Sequence, residues 1–144
     1  MEPTIAFESG GLVAPDRMKD AAADFGQTGF LRILARLGAT SISPKALTGT
    51  IDGYEQPNRV FVQDMIWPVG PSLSSTALHG AVHLFQQRYP WGGSGLEVMA
   101  HTAELLFLFH LGYKVGDYEV RIQMDRLRFY LDRILDAEMK LLGG

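Results

Sequence analysis

The sequence predicts an α+β fold, a mostly helical single domain with a small β-hairpin or sheet before the helix that carries the candidate site. Two observations predict this class. The chain has 144 residues, a length typical of one domain. Apolar residues recur at helical spacing along most of the chain, whereas residues 48–62 are rich in strand-forming and turn-forming types.

The predicted domain begins after a short arm. Residues 1–14 are expected to form a flexible N-terminal arm, and residues 15–144 the domain itself. Pro15 suits the first turn of a helix. The segment Asp16–Gly38 carries apolar side chains at helical spacing, which predicts one helix or two, with a break near Gly26–Gly29.

A β-prone stretch follows this helical region. Thr48–Ile51 and Arg59–Val62 have strand-like compositions and are separated by turn residues that include Pro57-Asn58. We therefore expect a β-hairpin here. Residues 67–71, which contain two prolines, are expected to form the loop that follows.

Three helices are predicted in the second half of the chain. Thr76–Arg88 has apolar residues on one face, and Leu96–Leu111 is apolar nearly all round, so the latter should be largely buried. Gly112 is expected to end that helix. A long amphipathic helix then begins near Asp117 and runs almost to the end of the chain.

Composition argues against several classes of protein. With 13 basic and 16 acidic residues the net charge is -3, and no basic patch suggests nucleic acid as a partner. The chain has no cysteine, so a metal ion would have to be held by His, Asp or Glu.

The sequence also predicts that the chain does not span a membrane. Its most apolar stretch, Leu105–Leu111, is interrupted by His110 and is far shorter than the roughly 20 residues that a crossing helix needs. No secretory signal is recognised at the start of the sequence. We expect a soluble protein; the sequence leaves its location open, and a secreted effector and a cytoplasmic protein are both compatible with it.

Histidine and glutamate residues on the second and third of the predicted helical regions form a candidate site. His79 and His83 are four residues apart, so on a helix their rings share one face and can bind one ion. On the next helix Glu97, His101 and Glu104 also follow helical spacing. Two histidines and one carboxylate are the ligands of many catalytic zinc sites, which keep a fourth position for water.

The two carboxylates on this helix can be explained with or without a metal ion. Glu97 and Glu104 lie on a very apolar helix, where an unpaired carboxylate is costly to bury. A cation bound by the histidines would offset that cost. Alternatively, the carboxylates pair with arginines and the histidines are structural; the candidate arginines are Arg32, Arg36 and Arg88.

The order of these segments resembles that of the zincin-like metallopeptidases. A strand at Asn58–Val62, a helix with His79-Gly80-Ala81-Val82-His83 and a later helix with Glu97 follow one another as in that family, and the similarity spans Thr48–Tyr113. The resemblance implies zinc, with His79 and His83 as ligands and Glu97 as the third, and Glu104 as its rival. Small domains of this type occur as secreted bacterial effectors or toxins and in phage proteins.

The chain departs from the family motif at Gly80. The family has a glutamate there, which acts as general base on the zinc-bound water. Losing a positioned base typically lowers the rate by about 10²- to 10⁴-fold. His101 and Glu104 are the candidate catalytic substitutes, since either could reach a metal-bound water from the helix predicted at Leu96–Leu111.

Two functional hypotheses follow. The first is a zincin-like domain that binds zinc and a peptide or protein, either as a hydrolase with an altered base or as a pseudoenzyme. The second is a metal-free helical interaction module, in which the C-terminal helix joins two copies of the chain in a homodimer.

Overall fold

The structure, a computed structural model, describes residues 4–46, 58–87 and 94–143. Its elements in chain order are β1 (Ala6–Phe7), α1 (Pro15–Thr28), α2 (Phe30–Arg36), β2 (Ser41–Lys45), β3 (Arg59–Gln63), α3 (Ser72–Gln86), α4 (Ser94–His110) and α5 (Tyr118–Leu141). The described chain is mostly helical with one small sheet before α3. This confirms the predicted α+β class.

The sheet has three parallel strands in the order β1-β2-β3. Helices α1 and α2 connect β1 to β2, because parallel neighbours need a crossover rather than a tight turn. Strand β3 confirms the strand predicted at Arg59–Val62, and it pairs in parallel with β2. The predicted hairpin partner, Thr48–Ile51, lies outside the described residues.

Strand β2 was not predicted, because it contains Pro44 and proline is unfavourable in the interior of a sheet. The pairing explains why proline is accepted at this position. Strand β1 pairs only with Ser41 and Ile42, so Pro44 has a paired neighbour on the β3 side alone. The strand therefore has a free edge where the proline lies.

Residues 4–14 differ from the flexible arm expected for this part of the chain. They contribute β1, and Ile5 and Val13 are only 9% and 1% exposed. Burial of these two apolar side chains, together with the backbone pairing to β2, holds the segment on the domain.

The core lies between the sheet and helices α1 to α4. The expected break in the first helical region occurs at Gly29, whose φ of 77° is in the left-handed region that glycine accepts. The break allows Phe25 and Phe30, on either side of it, to contact the same ring, with centroids 4.9 and 5.2 Å from that of Phe107. Helix α4 is thus anchored in the core through Phe107.

Helix α3 packs directly on strand β3 at Gly80. A Cβ atom at this position would lie 3.0 Å from Cγ1 of Val60, which is closer than side chains normally approach. Val60 is itself buried, at 2% exposure. Glycine therefore allows the helix and the strand to approach each other, and the position where the family has its glutamate faces the sheet.

Helix α5 packs on α4 only through part of its length. Val120 and Gln123 are buried, whereas Leu131, Leu135 and Met139 are 45%, 52% and 60% exposed. Dimerisation through this helix stays a prediction, and these exposed side chains are the feature on which it depends. No helix of the described residues is both long and apolar enough to cross a membrane.

Substitution of Gly80 by alanine tests the close packing of α3 on β3. In a Val60→Ala background, Gly80→Ala is expected to raise the free energy of unfolding by about 1 kcal/mol, because alanine is the better helix former. In the wild-type background the gain should be smaller or reversed, because the new methyl group meets Val60. Urea denaturation of the four proteins measures the difference. Equal effects in both backgrounds would show that Val60 does not restrict this position.

Candidate metal centre

His79 and His83 face the same point in space from successive turns of α3. Their Nε2 atoms are 2.9 Å apart and their ring centroids 4.6 Å apart. This follows from their separation by four residues on a helix, which places both side chains on one face. That face is turned towards α4.

Glu97, in the first turn of α4, completes a group of three. Its Oε1 atom lies 3.6 Å from His79 Nε2 and is in contact with His83 Nε2. The three residues offer ligand atoms within 4.8 Å of one another. His79, His83 and Glu97 could therefore hold a metal ion.

Gln86 determines which nitrogen of His83 carries the proton. The amide Nε2 of Gln86 donates a hydrogen bond to the carbonyl oxygen of Leu96 at 3.1 Å, which turns its Oε1 towards His83 Nδ1 at 2.8 Å. An amide oxygen can only accept, so His83 Nδ1 donates. In the neutral ring, His83 Nε2 then presents a lone pair to the shared point.

Glu104 is a buried carboxylate, 3% exposed, that accepts four hydrogen bonds. Its Oε2 accepts from Nδ1 of His79 at 2.8 Å and from Nδ1 of His101 at 3.0 Å. Its Oε1 accepts from Ser75 Oγ at 2.6 Å and from Gln123 Nε2 at 3.3 Å. His79 Nδ1 therefore carries a proton, and in the neutral ring the lone pair of His79 Nε2 faces His83.

When both rings are neutral, three acceptor atoms thus converge with no proton between them. Such an arrangement is repulsive unless a cation occupies the space between the acceptors. Burial and the neighbouring His79 lower the pKa of His83, which favours the neutral ring of His83. The 2.9 Å between the two Nε2 atoms is near the ~3.3 Å expected for two nitrogens on one tetrahedral zinc ion.

His101 lies beside this group and is oriented by a second amide. Gln123 donates to Glu104, so its Oε1 faces His101 Nδ1 at 2.8 Å and accepts from it. Although burial favours the neutral ring, hydrogen bonds to Glu104 and Gln123 and the charges of Glu104 and Glu97 raise the pKa of His101. His101 Nε2 points towards the site, 3.7 Å from Glu97 Oε2.

The proton affinity of Glu104 reflects its four donors. Burial alone would favour the neutral acid, but hydrogen bonds from His101, His79 and Ser75 lower its pKa from 4.5 to about 2. The carboxylate is therefore ionised over the whole physiological range. It acts as a fixed acceptor for the two histidines rather than as a group that exchanges protons.

A cleft opens over the site on the side of α5. Its volume is about 480 Å³. Its lining residues are His79, Glu97, His101, Asp125, Arg126, Phe129 and Tyr130. The ring of Tyr130 stacks on that of His101 with centroids 5.7 Å apart, so α5 forms a wall of the cleft directly beside the histidines.

The predicted site residues fall into two roles by position. His79, His83 and Glu97 face one point, whereas Glu104, considered as a rival ligand, faces the Nδ1 atoms of His79 and His101. His79, His101 and Glu104 also lie close enough together to hold an ion. The hydrogen bonds that the two Nδ1 atoms donate to Glu104 already account for that grouping. His110 lies elsewhere and bonds to the carbonyl oxygen of Leu106. The catalytic and ligand roles of the predicted residues stay predictions.

Three polar residues that hold the histidines were not found from the sequence. Ser75 and Gln86 lie four residues before His79 and three after His83, hence on the same face of α3. Gln123 lies three residues after Val120, on the buried face of α5. In each case the available signal was a polar side chain at a core-facing helical position.

Comparison of the chain with protein-family models, with curated proteins and with solved structures finds no match. The resemblance to the zincin-like metallopeptidases therefore stays a prediction from the motif and the order of elements.

The stability of the metal-free protein is expected to depend on Glu104 at acid pH. Because its pKa is lowered to about 2 in the folded chain, its contribution to stability is complete above pH 4.5 and is lost as the pH falls towards 2. The difference corresponds to about 3 kcal/mol. Denaturation of chelator-treated protein between pH 5 and pH 2 measures it. A Glu104→Gln variant should show a shallower loss over this range, and an unchanged slope would contradict the assignment.

Proposed function

We propose that this protein is a zinc-dependent hydrolase of a peptide or related amide bond, with His79, His83 and Glu97 as zinc ligands. The observation that supports it is the convergence of three atoms that act as acceptors when both rings are neutral: Nε2 of His79, Nε2 of His83 and Oε1 of Glu97. The Nδ1 protons of the two rings are bound by Glu104 and Gln86. Two imidazoles and one carboxylate suit zinc, and such a set leaves a fourth position free for water.

The second supporting observation is that the other ring nitrogen of each ligand histidine donates a hydrogen bond to a neighbouring side chain. Histidines that bind metals commonly donate their other ring nitrogen to a carboxylate or carbonyl oxygen, which fixes the ring and its proton. Here Glu104 serves His79 and Gln86 serves His83.

A bound zinc ion would polarise the carbonyl group of the substrate and lower the pKa of a coordinated water. The chain must still provide a group that accepts the proton of the attacking water. Gly80 cannot, and any side chain there would meet Val60. The base must therefore come from another element.

His101 is the residue best arranged to act as that base. Its Nδ1 donates to the ionised Glu104, and its Nε2 faces the cleft near Glu97. A carboxylate that holds an imidazole in one tautomer is the same device that orients the histidine of hydrolytic triads. In this proposal His101 accepts the proton, and Glu104 positions it.

The cleft suits a small or extended substrate rather than one that the protein encloses. Its volume of about 480 Å³ is within the range of ligand sites, and it is lined by the aromatic rings of Phe129 and Tyr130. A peptide segment of one or two residues would fit beside the ligand group. A protein or peptide substrate is therefore the class we assign.

Zinc binding is the first prediction of the proposal. Protein purified without a histidine tag is expected to bind about one zinc ion per chain, as in other sites of this composition. His83→Ala should abolish stoichiometric binding, and Gln86→Leu should weaken it by about 10- to 100-fold because His83 loses its orienting acceptor. The exposed His110→Ala variant is the control. Sub-stoichiometric zinc that is insensitive to His83→Ala would exclude the metal site.

Hydrolysis is the second prediction, and His101→Gln is its test. With zinc retained, this variant should lower kcat by about 10²- to 10⁴-fold, the usual contribution of a general base. His110→Gln should leave kcat unchanged. Zinc-loaded wild-type protein that cleaves no member of a broad peptide panel would instead identify a zinc-binding pseudoenzyme.

A further inference from the structure

Arg126 is a cation without a partner at the edge of the candidate site. It lines the cleft together with His79, Glu97 and His101, and its side chain is exposed. Within the described part of the chain it forms no hydrogen bond or ion pair. The site therefore contains an arginine that no residue described in the structure neutralises.

Arg126 and Tyr130 both line the cleft from helix α5. Tyr130 lies over His101 with the two rings nearly parallel, at an interplanar angle of 17°. Arg126 is one helical turn earlier on the same face of α5, a step of about 6 Å along the axis. Arg126 thus borders the same cleft as His79 and Glu97 of the ligand group.

We propose that Arg126 binds a carboxylate of the substrate, and that the cleft takes the free C-terminal end of a peptide. This inference rests on the proposed function for the identity of the reacting bond. Guanidinium groups bind carboxylates through two parallel hydrogen bonds, which fix direction as well as charge. The terminal side chain would then contact the rings of Phe129 and Tyr130.

The other charges around the cleft are compatible with this assignment. Glu97 would be neutralised by a bound cation, and Glu104 is buried behind the histidines. Asp125 also lines the cleft, but it borders a neighbouring depression that contains Arg121 and Arg128. Arg126 instead borders a second depression, which Trp67 and Ser75 also line. Asp125 and Arg126 therefore each extend the cleft towards a different neighbouring depression.

Binding of a matched pair of small ligands tests the proposal without requiring turnover. Isothermal titration of zinc-loaded protein should show N-acetyl-phenylalanine, a free acid, binding more tightly than N-acetyl-phenylalaninamide. Arg126→Gln should weaken the acid by about tenfold and leave the amide unchanged, since only the acid loses its charged partner. Arg121→Gln, on the same helix but outside the cleft, is the control and should change neither.

The outcomes separate this inference from the proposed function. Equal affinity of the acid and the amide would overturn the inference, and so would an affinity for the acid that Arg126→Gln leaves unchanged. If the affinity for the acid is unchanged by Arg126→Gln but is lowered by His83→Ala, the carboxylate binds the zinc ion instead. The same titrations on metal-free protein should keep the dependence on Arg126. If that dependence persists while stoichiometric zinc binding fails, the carboxylate site stands and the proposed hydrolase does not.

Discussion

The ionised carboxylate of Glu104, buried among three helices, is the interaction on which the rest of the site depends. A buried charge is tolerated only when donors surround it, and here α3, α4 and α5 each contribute at least one. Satisfying this one group fixes the protons of His79 and His101 and the register between the helices. The packing of α3, α4 and α5 around the site and the orientation of its histidines therefore depend on the same set of hydrogen bonds.

The close packing of Gly80 on Val60 limits which side chains the position after His79 can carry. Helix α3 lies so close to β3 that a Cβ atom at Gly80 would be 3.0 Å from Cγ1 of Val60, so a side chain there requires Val60 to shift. A glutamate at this position would face β3 rather than the site. In the proposed mechanism the imidazole of His101, which reaches the site from α4, takes the role of the base.

Local sequence patterns predicted much of this arrangement. The features that were not predicted depend on pairing between residues far apart in the sequence. The spacing of His79 and His83, and of Glu97, His101 and Glu104, is a property of single helices and was visible in the sequence. Strand β2 was not, because Pro44 is acceptable only where a neighbouring strand stops short. The parallel order of the strands also depends on partners far apart in sequence. The roles of Glu97 and Glu104 could not be separated, since both occupy the same helical face and only the facing atoms of α3 distinguish them.

The hydrogen bonds that hold the histidine rings have a consequence for metal selectivity. The rings are preorganised, so loading an ion needs little rotation and little loss of side-chain entropy. A rigid pocket with two nitrogens 2.9 Å apart and one carboxylate is too narrow and too poor in oxygen for Ca²⁺, which takes six to eight oxygen ligands. Rigidity imposed by Gln86 and Glu104 would thus discriminate between cations before any substrate arrives.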